Sequence, residues 1–264
     1  MTAETADQAT RWRLLLDALA ARRRLSVAEA ASLLGVSAAT VRRDFTELAR
    51  QQLATRTHGG VVATSVAYDL PARYRITPDD PRERIARAAA SLVQPRSVVA
   101  FNGGTTTSAV ARHLAQRLDL QEVGPESVTI VTNALNIASE MVLRPAVRTV
   151  VIGGVARPES YELHGPFASR VLQDLLIDHL FLGVDGLSAT EGASCVHLGE
   201  SGINAEMVAK AKRVTAVAAS PKLGKVALAR ICTLDQIQAL VTDSGAAPAV
   251  VAEFEAAGVK VTLV

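Results

Sequence analysis

The sequence predicts an α/β fold with a parallel, Rossmann-like sheet in its larger part, preceded by a small helical unit. Seven short Val- and Ile-rich segments alternate with stretches of helical periodicity, which is typical of a parallel sheet covered by helices on both faces. The predicted strands are residues 98–101, 128–131, 149–152, 180–183, 214–218, 240–242 and 259–263. Prolines interrupt the periodicity before them. We therefore expect a helical unit at residues 1–63, a linker at 64–81 and an α/β domain at 82–264.

The composition is typical of a soluble globular protein. Of the 264 residues, 49% are hydrophobic and 20% are charged, which is enough apolar material for more than one core. No apolar run approaches the ~18 residues of a membrane span, and the N-terminal residues lack the pattern of a signal peptide. Only two cysteines occur, which fits a reducing compartment. We therefore expect a cytoplasmic protein without a membrane partner.

The net charge of +2 conceals an N-terminal excess of arginine. Residues 1–60 contain nine arginines and no lysine against six acidic residues, and the remainder carries a net charge of −1. This excess alone does not indicate a nucleic-acid partner, because surface arginines are often only solvated.

Two helices are predicted before residue 36. The first starts near Trp12 and stops at three consecutive arginines, residues 22–24, where cations suit a helix C-terminus. Ser26 and Glu29 have the spacing of a capping box, which opens a short second helix. Gly35 ends that helix.

The third predicted helix carries the candidate DNA-reading residues. Ser37 caps it, and the helical pattern continues from residue 38 to about residue 51. Its apolar residues are expected to face the core: Val41, Phe45 and Leu48. Its polar residues are expected to face elsewhere: Thr40, Arg42, Arg43 and Asp44. Two short helices joined at a glycine turn, the second with arginines near its start, are typical of a helix-turn-helix.

A short hairpin is predicted after the third helix. Residues 52–63 have the pattern of two strands around His58-Gly59-Gly60, which would form a basic wing. A winged helix-turn-helix places its recognition helix in the major groove of double-stranded DNA and its hairpin on the backbone or minor groove. The alternative is a small helical cap with solvated arginines. The candidate DNA-binding residues are Ser26, Ser37, Thr40, Arg42, Arg43, Arg56 and His58.

A glycine- and threonine-rich turn follows the first predicted strand. Residues 102–107 read Asn-Gly-Gly-Thr-Thr-Thr and precede a predicted helix at residues 108–118. Glycines let the backbone approach a ligand, threonines offer hydroxyls, and a helix N-terminus offers unpaired N–H groups. The turn therefore predicts a site for a phosphate or a sugar. An ordinary strand-to-helix loop with a threonine cap is the alternative.

Polar residues also follow the other predicted strands. Asn133 follows the second strand, Gly153-Gly154 the third, Gly183-Val184-Asp185-Gly186 the fourth and Lys222 the fifth. Ligands bind beyond the carboxyl ends of parallel strands, so these residues are expected to line one crevice that suits a polyhydroxylated anion. The candidate ligand-binding residues are Asn102, Gly103, Gly104, Thr105, Thr106, Thr107, Asn133, Gly154, Asp185, Glu200 and Lys222.

Each of these residues also has a simpler interpretation. Asn133 can be a helix cap, Gly153-Gly154 a turn, and Lys222 a solvated surface charge.

Metal binding, cofactor binding and nucleophilic catalysis are not expected. Cys195 and His197 lack a second pair of ligands at metal-binding spacing, and the histidines are otherwise scattered. The sequence also lacks a nucleophile elbow.

Several of these motifs together resemble the DeoR family of transcriptional regulators. They are residues 25–29, 35–37, 40–45 and 58–60 in the N-terminal unit, and residues 103–107, 132–133, 153–154, 183–186 and 222–224 in the α/β domain. The resemblance implies a winged helix-turn-helix followed by a sensor domain that shares its fold with ribose-5-phosphate isomerase. It also implies that a phosphorylated sugar binds the sensor domain as effector and releases the protein from its operator.

The sequence departs from the family pattern at several positions. Asn102 and Ala219 stand where an Asp is common, and residues 194–200 differ from the usual text. These departures suggest an unusual or more anionic effector. Ala38-Ala39 replaces polar residues at the start of the recognition helix, so the operator sequence does not carry over from relatives.

The function expected from the sequence is that of a repressor of carbohydrate-metabolism genes and not of an enzyme. We expect a homodimer or homotetramer, because a helix-turn-helix usually needs two copies to read a palindrome. The alternative is a sugar-phosphate isomerase with an added domain. By resemblance that enzyme uses a lysine shortly after its Asp-Gly motif, and no lysine occurs here between Gly186 and Lys210.

Overall fold

A computed structural model of the chain describes residues 8–22, 24–50, 53–63 and 80–264. The chain divides into two compact units, Met1–Arg75 and Ile76–Val264. The expected linker at residues 64–81 lies outside the described residues except for its last two, so its boundaries stay a prediction.

The described residues of the N-terminal unit form three helices and a three-stranded antiparallel sheet. The helices are α1 Gln8–Arg22, α2 Val27–Leu34 and α3 Ala38–Arg50, and the strands are β1 Arg24–Ser26, β2 Ala54–Thr57 and β3 Gly60–Ala63. The strand order is β1-β3-β2, so the predicted wing gains a third strand that the sequence analysis missed. A Cβ on Gly60 would lie 2.4 Å from the Leu25 carbonyl oxygen, so only glycine lets β1 approach β3 this closely.

The predicted ends of α2 and the predicted start of α3 are confirmed, whereas α1 begins at Gln8, four residues before the predicted start near Trp12. Ser26 and Glu29 form the capping box, and Gly35 ends α2 with a left-handed φ of 64°. Ser37 Oγ accepts the Thr40 N–H at the start of α3. The inward-facing apolar residues of all three helices are buried in one core: Leu15, Leu19, Ala30, Leu34, Val41, Phe45 and Leu48.

The second unit is built on a parallel sheet of seven strands. They are β4 Val98–Phe101, β5 Val128–Thr132, β6 Val147–Val151, β9 His179–Leu182, β12 Val214–Val217, β14 Ala239–Thr242 and β15 Lys260–Leu263. All seven were predicted within two residues at either end. Their order is β15-β14-β12-β9-β4-β5-β6, and every pairing is parallel.

Helices cover both faces of this sheet, as predicted. They are α4 Pro81–Ala90, α5 Thr105–Ala115, α6 Leu118–Val123, α7 Leu135–Met141, α8 Pro166–Gln173, α9 Leu198–Lys210 and α10 Pro248–Ala256. Phe101 and Phe181 share one core with α4, α5 and α7, and their rings stack with centroids 5.5 Å apart. Ala100 and Leu180, which alternate with them along the strands, share the other core with α8, α9 and α10.

The strand order places a switch point between β4 and β9. From β4 the chain adds β5 and β6 on one side, and then returns to the other side of β4 with β9, β12, β14 and β15. Loops that leave β4 and β9 therefore diverge, and in such sheets ligands bind in the crevice that lies beyond the carboxyl ends of the two strands.

Some local predictions for this unit are wrong. The helix after the Gly-Thr turn begins at Thr105 and not at residue 108, and its N-cap is Gly104, without a side-chain cap. The α4 helix begins at Pro81, where Asp80 caps it. Two small antiparallel pieces were not predicted: the hairpin of β7 Val155–Ala156 and β8 Leu163–His164, and a sheet of β10 Gly186–Ser188, β11 Gly192–Cys195 and β13 Ala229–Cys232.

The prediction for Asp44 is also wrong, because its side chain faces inward from α3. The carboxylate is only 4% exposed and accepts hydrogen bonds from Arg11 Nε at 3.0 Å and Trp12 Nε1 at 3.1 Å. A buried acid next to Arg42 and Arg43 thus ties the predicted recognition helix to α1.

Replacing Asp44 with Ala removes the acceptor shared by the Arg11 guanidinium and the Trp12 indole. We expect the N-terminal unit to lose about 2 to 4 kcal/mol of stability. Trp12 is the only tryptophan of the chain, so its fluorescence during urea unfolding follows this unit within the intact protein.

The matched control is Glu47→Ala on the same helix. Glu47 forms a more exposed pair with Arg50, and such pairs contribute at most about 1 kcal/mol. If Asp44→Ala unfolds at as high a urea midpoint as Glu47→Ala, the buried Asp44 does not stabilise the contact between α3 and α1.

Candidate DNA-binding surface and candidate effector site

The predicted recognition helix, α3, presents two exposed cations. Arg42 and Arg43 are exposed, and neither guanidinium forms an ion pair or hydrogen bond with a described residue. They lie on the same side of α3 as the exposed Ala39 and Thr46, at helical spacing. An exposed stripe of small residues and arginines can enter a DNA groove and contact base edges.

The predicted serine and threonine contacts have local roles in the structure. Ser26 Oγ bonds Glu29 Oε2 at 2.6 Å, and Ser37 Oγ lies 2.9 Å from Thr40 Oγ1. The Ser26 hydroxyl caps α2, and the Ser37 hydroxyl caps α3, which carries the exposed arginines.

The wing presents a further basic edge. Arg56 on β2 and His58 in the turn are exposed, and neither side chain bonds a described residue. The N-terminal unit therefore carries cations on both its third helix and its hairpin.

In the α/β unit, Asn102 joins the two strands that flank the switch point. Its Nδ2 donates to the Gly183 carbonyl at 2.9 Å, and its Oδ1 accepts the Gly183 N–H at 2.7 Å. Both polar atoms of this predicted ligand-binding residue are therefore occupied by the backbone that follows β9. The pair fixes the starting points of the Gly-Thr turn and of the Asp185 loop.

The start of α5 offers unpaired donors. None of the described residues accepts a hydrogen bond from the N–H groups of Thr105, Thr106 or Thr107. The Thr107 and Ser108 hydroxyls donate to the Gly104 carbonyl. They do not accept hydrogen bonds from the three N–H groups at the helix start. Three unpaired N–H groups at the positive end of an eleven-residue helix favour an anion.

Glu162 packs directly against this turn, and the sequence analysis missed it. A Cβ on Gly103 would lie 2.3 Å from Glu162 Cγ, so Gly103 leaves the space that the Glu162 side chain fills. Glu162 Oε2 accepts hydrogen bonds from Asn133 Nδ2 at 3.0 Å and Asn204 Nδ2 at 3.3 Å. All three residues are buried.

The pKa of the Glu162 carboxyl lies near neutral pH. Its pKa is raised from 4.5 to about 7, mainly by burial, then by the charge of Glu200 and, to a smaller extent, by that of Asp185. The hydrogen bonds from Asn133 and Asn204 favour the ionised form but do not cancel the burial.

Glu200, a predicted site residue, lies buried at the start of α9. Its Oε1 accepts hydrogen bonds from Arg157 Nη1 at 2.9 Å and from the Ser160 hydroxyl. The charge of Glu200 is therefore compensated by Arg157, whose pKa is raised mainly by this hydrogen bond.

Asp185 and Lys222 meet at the rim of the crevice. Lys222 Nζ lies 3.9 Å from Asp185 Oδ1 and donates to the Val184 carbonyl, while Asp185 Oδ2 accepts the Val196 N–H at 3.0 Å. Both side chains are 41% exposed. The lysine is thus held beside the carboxylate, although three strands and a helix lie between them in the chain.

Asn133 and Gly154 have different surroundings from those expected. Ala134, and not Asn133, is the N-cap of α7, so the cap interpretation of Asn133 is wrong and its amide belongs to the Glu162 cluster. A Cβ on Gly154 would lie 2.6 Å from the His164 carbonyl, so the close approach at Gly154 is made by β8.

The Cys195 and His197 pair has a structural environment. Cys195 Sγ donates to the His197 carbonyl, and burial raises the pKa of the thiol to about 11. Among the described residues, no group of three or more His, Cys, Asp or Glu side chains has a geometry that can hold a metal ion. The helices in this part of the chain also include none that is long and apolar enough to cross a membrane.

A winged helix-turn-helix with exposed arginines, in one chain with an α/β unit that has a crevice at its switch point, defines a DNA-binding transcriptional regulator. Residues 11–66 match the DeoR-like helix-turn-helix domain, and residues 79–244 match the DeoR C-terminal sensor domain. The chain belongs to the DeoR family, as the motifs in its sequence indicated.

Curated relatives of similar length are also regulators. The chain is 32% identical to the HTH-type transcriptional regulator GlpR of Haloferax volcanii, over 86% of this chain and 87% of that protein. It is 28% identical to the glycerol-3-phosphate regulon repressor of Escherichia coli (strain K12), over 79% and 80%. Among solved structures, ribose 5-phosphate isomerase A of Methanocaldococcus jannaschii covers 55% of each chain, at 16% identity and a TM-score of 0.38.

Replacing Glu162 with Gln should make the stability of the α/β unit less dependent on pH. A pKa of about 7 in the folded state against 4.5 in the unfolded state means that the folded protein binds more protons between these values. Wild-type stability therefore falls as pH rises through that window, and Glu162→Gln should gain about 2 to 3 kcal/mol on wild type between pH 5 and pH 8.

Urea unfolding followed by circular dichroism at the two pH values measures this difference. Glu191→Gln is the control, because it removes an exposed carboxylate from the β10–β11 turn. A Glu162→Gln protein that follows the same pH dependence as wild type would show that Glu162 titrates normally.

Proposed function

We propose that this regulator represses carbohydrate-metabolism genes and is released from its operator by a phosphorylated sugar or a related anionic metabolite. The observation that carries the proposal is the set of three unpaired N–H groups at the start of α5, beside buried polar side chains at the switch point. Such a site suits an anion attached to a polyol. The named glycerol-3-phosphate regulon repressor among the relatives is consistent with this class. The protein would act in the cytoplasm as a homodimer or homotetramer on a palindromic site.

The N-terminal unit supplies the DNA-binding part of the proposal. Arg42 and Arg43 on α3 would enter the major groove, and Arg56 and His58 on the wing would contact the backbone or the minor groove. The absence of partners for these side chains among the described residues supports this assignment.

The crevice supplies the effector-binding part. The anionic group would lie on the Thr105–Thr107 N–H groups, and Lys222 and Asp185 would contact the ligand from the rim. The Asn102 pair would act indirectly, by holding β4 and β9 at the spacing that the site needs.

The isomerase alternative has weaker support. Proton transfer needs an acid and a base that both reach the substrate. Glu200 is instead held by Arg157 and Ser160 below the crevice, and Lys222 donates to the Val184 carbonyl. Membership of a regulator family also favours a non-enzymatic sensor.

Replacing Arg42 or Arg43 with Ala tests the DNA-binding assignment. An arginine that contacts a base edge should cost about 1 to 3 kcal/mol and relax specificity at one operator position. An arginine that contacts phosphate should weaken all sequences and reduce the salt slope by about one.

Fluorescence anisotropy with an operator fragment selected from genomic DNA measures both effects. Arg96→Ala in the α/β unit is the control for a lost arginine. If the double variant Arg42→Ala/Arg43→Ala keeps its fold and binds the operator as tightly as wild type, α3 is not the recognition helix.

Comparing Gly104→Asp with Gly104→Asn tests the anion site. Gly104 has a φ of 139°, so both substitutions bring the same backbone strain, and only Asp places a negative charge beside the α5 N–H groups. We expect both variants to bind operator without effector, since Arg42 and Arg43 lie in the other unit.

The effector response should separate the two variants. Gly104→Asp should no longer respond to a phosphosugar, and Gly104→Asn should respond at raised concentration, as read by operator release. Equal responses from the two variants would exclude an anion at this turn.

A further inference from the structure

The crevice contains hydrogen-bond acceptors that the described residues leave unsatisfied. Glu162 Oε2 takes the N–H groups of Asn133 and Asn204, and Glu162 Oε1 accepts a hydrogen bond from no described residue. Asn133 Oδ1 is fully buried and likewise has no partner among those residues. A buried acceptor without a donor is costly, and Asn133 Oδ1 is one. Together with the free oxygen of Glu162 it indicates a surface that can accept hydrogen bonds from a ligand.

The cations of the crevice do not meet this need. Arg157 is engaged by Glu200 and Glu159, and Lys222 donates to the Val184 carbonyl beside Asp185. In the described part of the chain, no Lys or Arg forms an ion pair with Glu162. Glu162 interacts electrostatically with the acids Glu200 and Asp185, with Arg157 and with the Cys195 thiol, and it accepts hydrogen bonds from the neutral amides of Asn133 and Asn204.

The two ends of the turn thus have opposite preferences. The Thr105–Thr107 end offers donors, whereas the Gly103 end is lined by the Glu162 carboxyl. An anion placed at the Gly103 end would meet a carboxylate at close range, which is unfavourable.

We propose that Glu162 is a ligand-recognition residue, which accepts hydrogen bonds from hydroxyl or ammonium groups of a ligand whose anionic group lies at the start of α5. This inference rests on the proposed function and adds an orientation: the polyol end of the ligand points to Glu162 and the phosphate end to Thr105–Thr107. The residue then selects ligands with donors at that position over those without them.

This orientation has a consequence for protons. Donors stabilise the ionised carboxylate, so binding lowers the pKa of Glu162 and releases its proton. An anion against Glu162 would raise its pKa and take up a proton instead. Because the pKa of Glu162 is about 7 in the protein without ligand, binding releases up to about 0.5 proton per site at pH 7.

Isothermal titration calorimetry in buffers of different ionisation enthalpy tests the inference. A thermal-shift panel of ribose 5-phosphate, glucose 6-phosphate and glycerol 3-phosphate first identifies the phosphosugar that binds best. Wild type should release more protons than Glu162→Gln when this phosphosugar binds. Protons that come from the ligand phosphate are the same for both proteins and cancel in the comparison. Glu162→Gln should bind that phosphosugar about 10- to 100-fold more weakly, as loss of a charged hydrogen-bond partner implies.

Matched ligands and variants complete the design. Inorganic phosphate, which lacks the polyol, should bind wild type and Glu162→Gln alike, and Glu191→Gln should behave as wild type throughout. The 2-deoxy and 2-amino analogues of the best ligand distinguish hydroxyl from ammonium donors: a loss confined to the deoxy analogue indicates hydroxyl, and tighter binding of the amino analogue indicates ammonium.

Two outcomes would overturn the inference. If Glu162→Gln equals wild type in affinity and proton release while Gly104→Asp abolishes binding, the anion site stands and the proposed role of Glu162 is wrong. Proton uptake by wild type relative to Glu162→Gln would place the anion against Glu162 and reverse the orientation. If no phosphosugar of the panel binds any variant, the proposed effector class fails, and this inference fails with it.

Discussion

The candidate site depends on the two hydrogen bonds between Asn102 and Gly183. They join the carboxyl ends of β4 and β9 at the switch point, where the two halves of the sheet diverge. Only a side chain with both a donor and an acceptor can make this pair, and an ionised Asp has no donor. The structure thereby explains why an amide suits the position where the family commonly has Asp. Gly183 also packs closely against the start of α5, since a Cβ at Gly183 would lie 3.1 Å from Thr107 Cγ2.

The loss of acids that the sequence indicated is offset by the fold. Asn102 and Ala219 suggested a site with fewer carboxylates, and hence a more anionic effector. The β7–β8 connection instead brings Glu162 against Gly103, and its charge is balanced by no ion pair within the described residues. The crevice therefore has a donor-rich end and an acceptor-rich end. A polyol with one anionic group fits this division better than a compact polyanion.

Local patterns predicted most of the fold, and long-range packing decided the rest. The seven parallel strands and the wing follow from short apolar runs and glycine turns, which act within a few residues. Asp44 and Glu162 could not be assigned in this way, since Arg11 lies 33 residues from Asp44 and Asn204 lies 42 residues from Glu162. Sequence alone shows Glu162 only as one acid in a polar loop. Its burial arises because Gly103 leaves the space that its side chain fills.

The regulation that we propose is a thermodynamic coupling between ligand binding in the crevice and operator binding by α3. Its most direct test measures the coupling from both sides, as operator affinity with and without saturating phosphosugar, and phosphosugar affinity with and without saturating operator. We expect each ligand to weaken the binding of the other by the same factor, about 5- to 150-fold for a typical coupling free energy of about 1 to 3 kcal/mol. A phosphosugar that binds the crevice tightly and leaves operator affinity unchanged would contradict it.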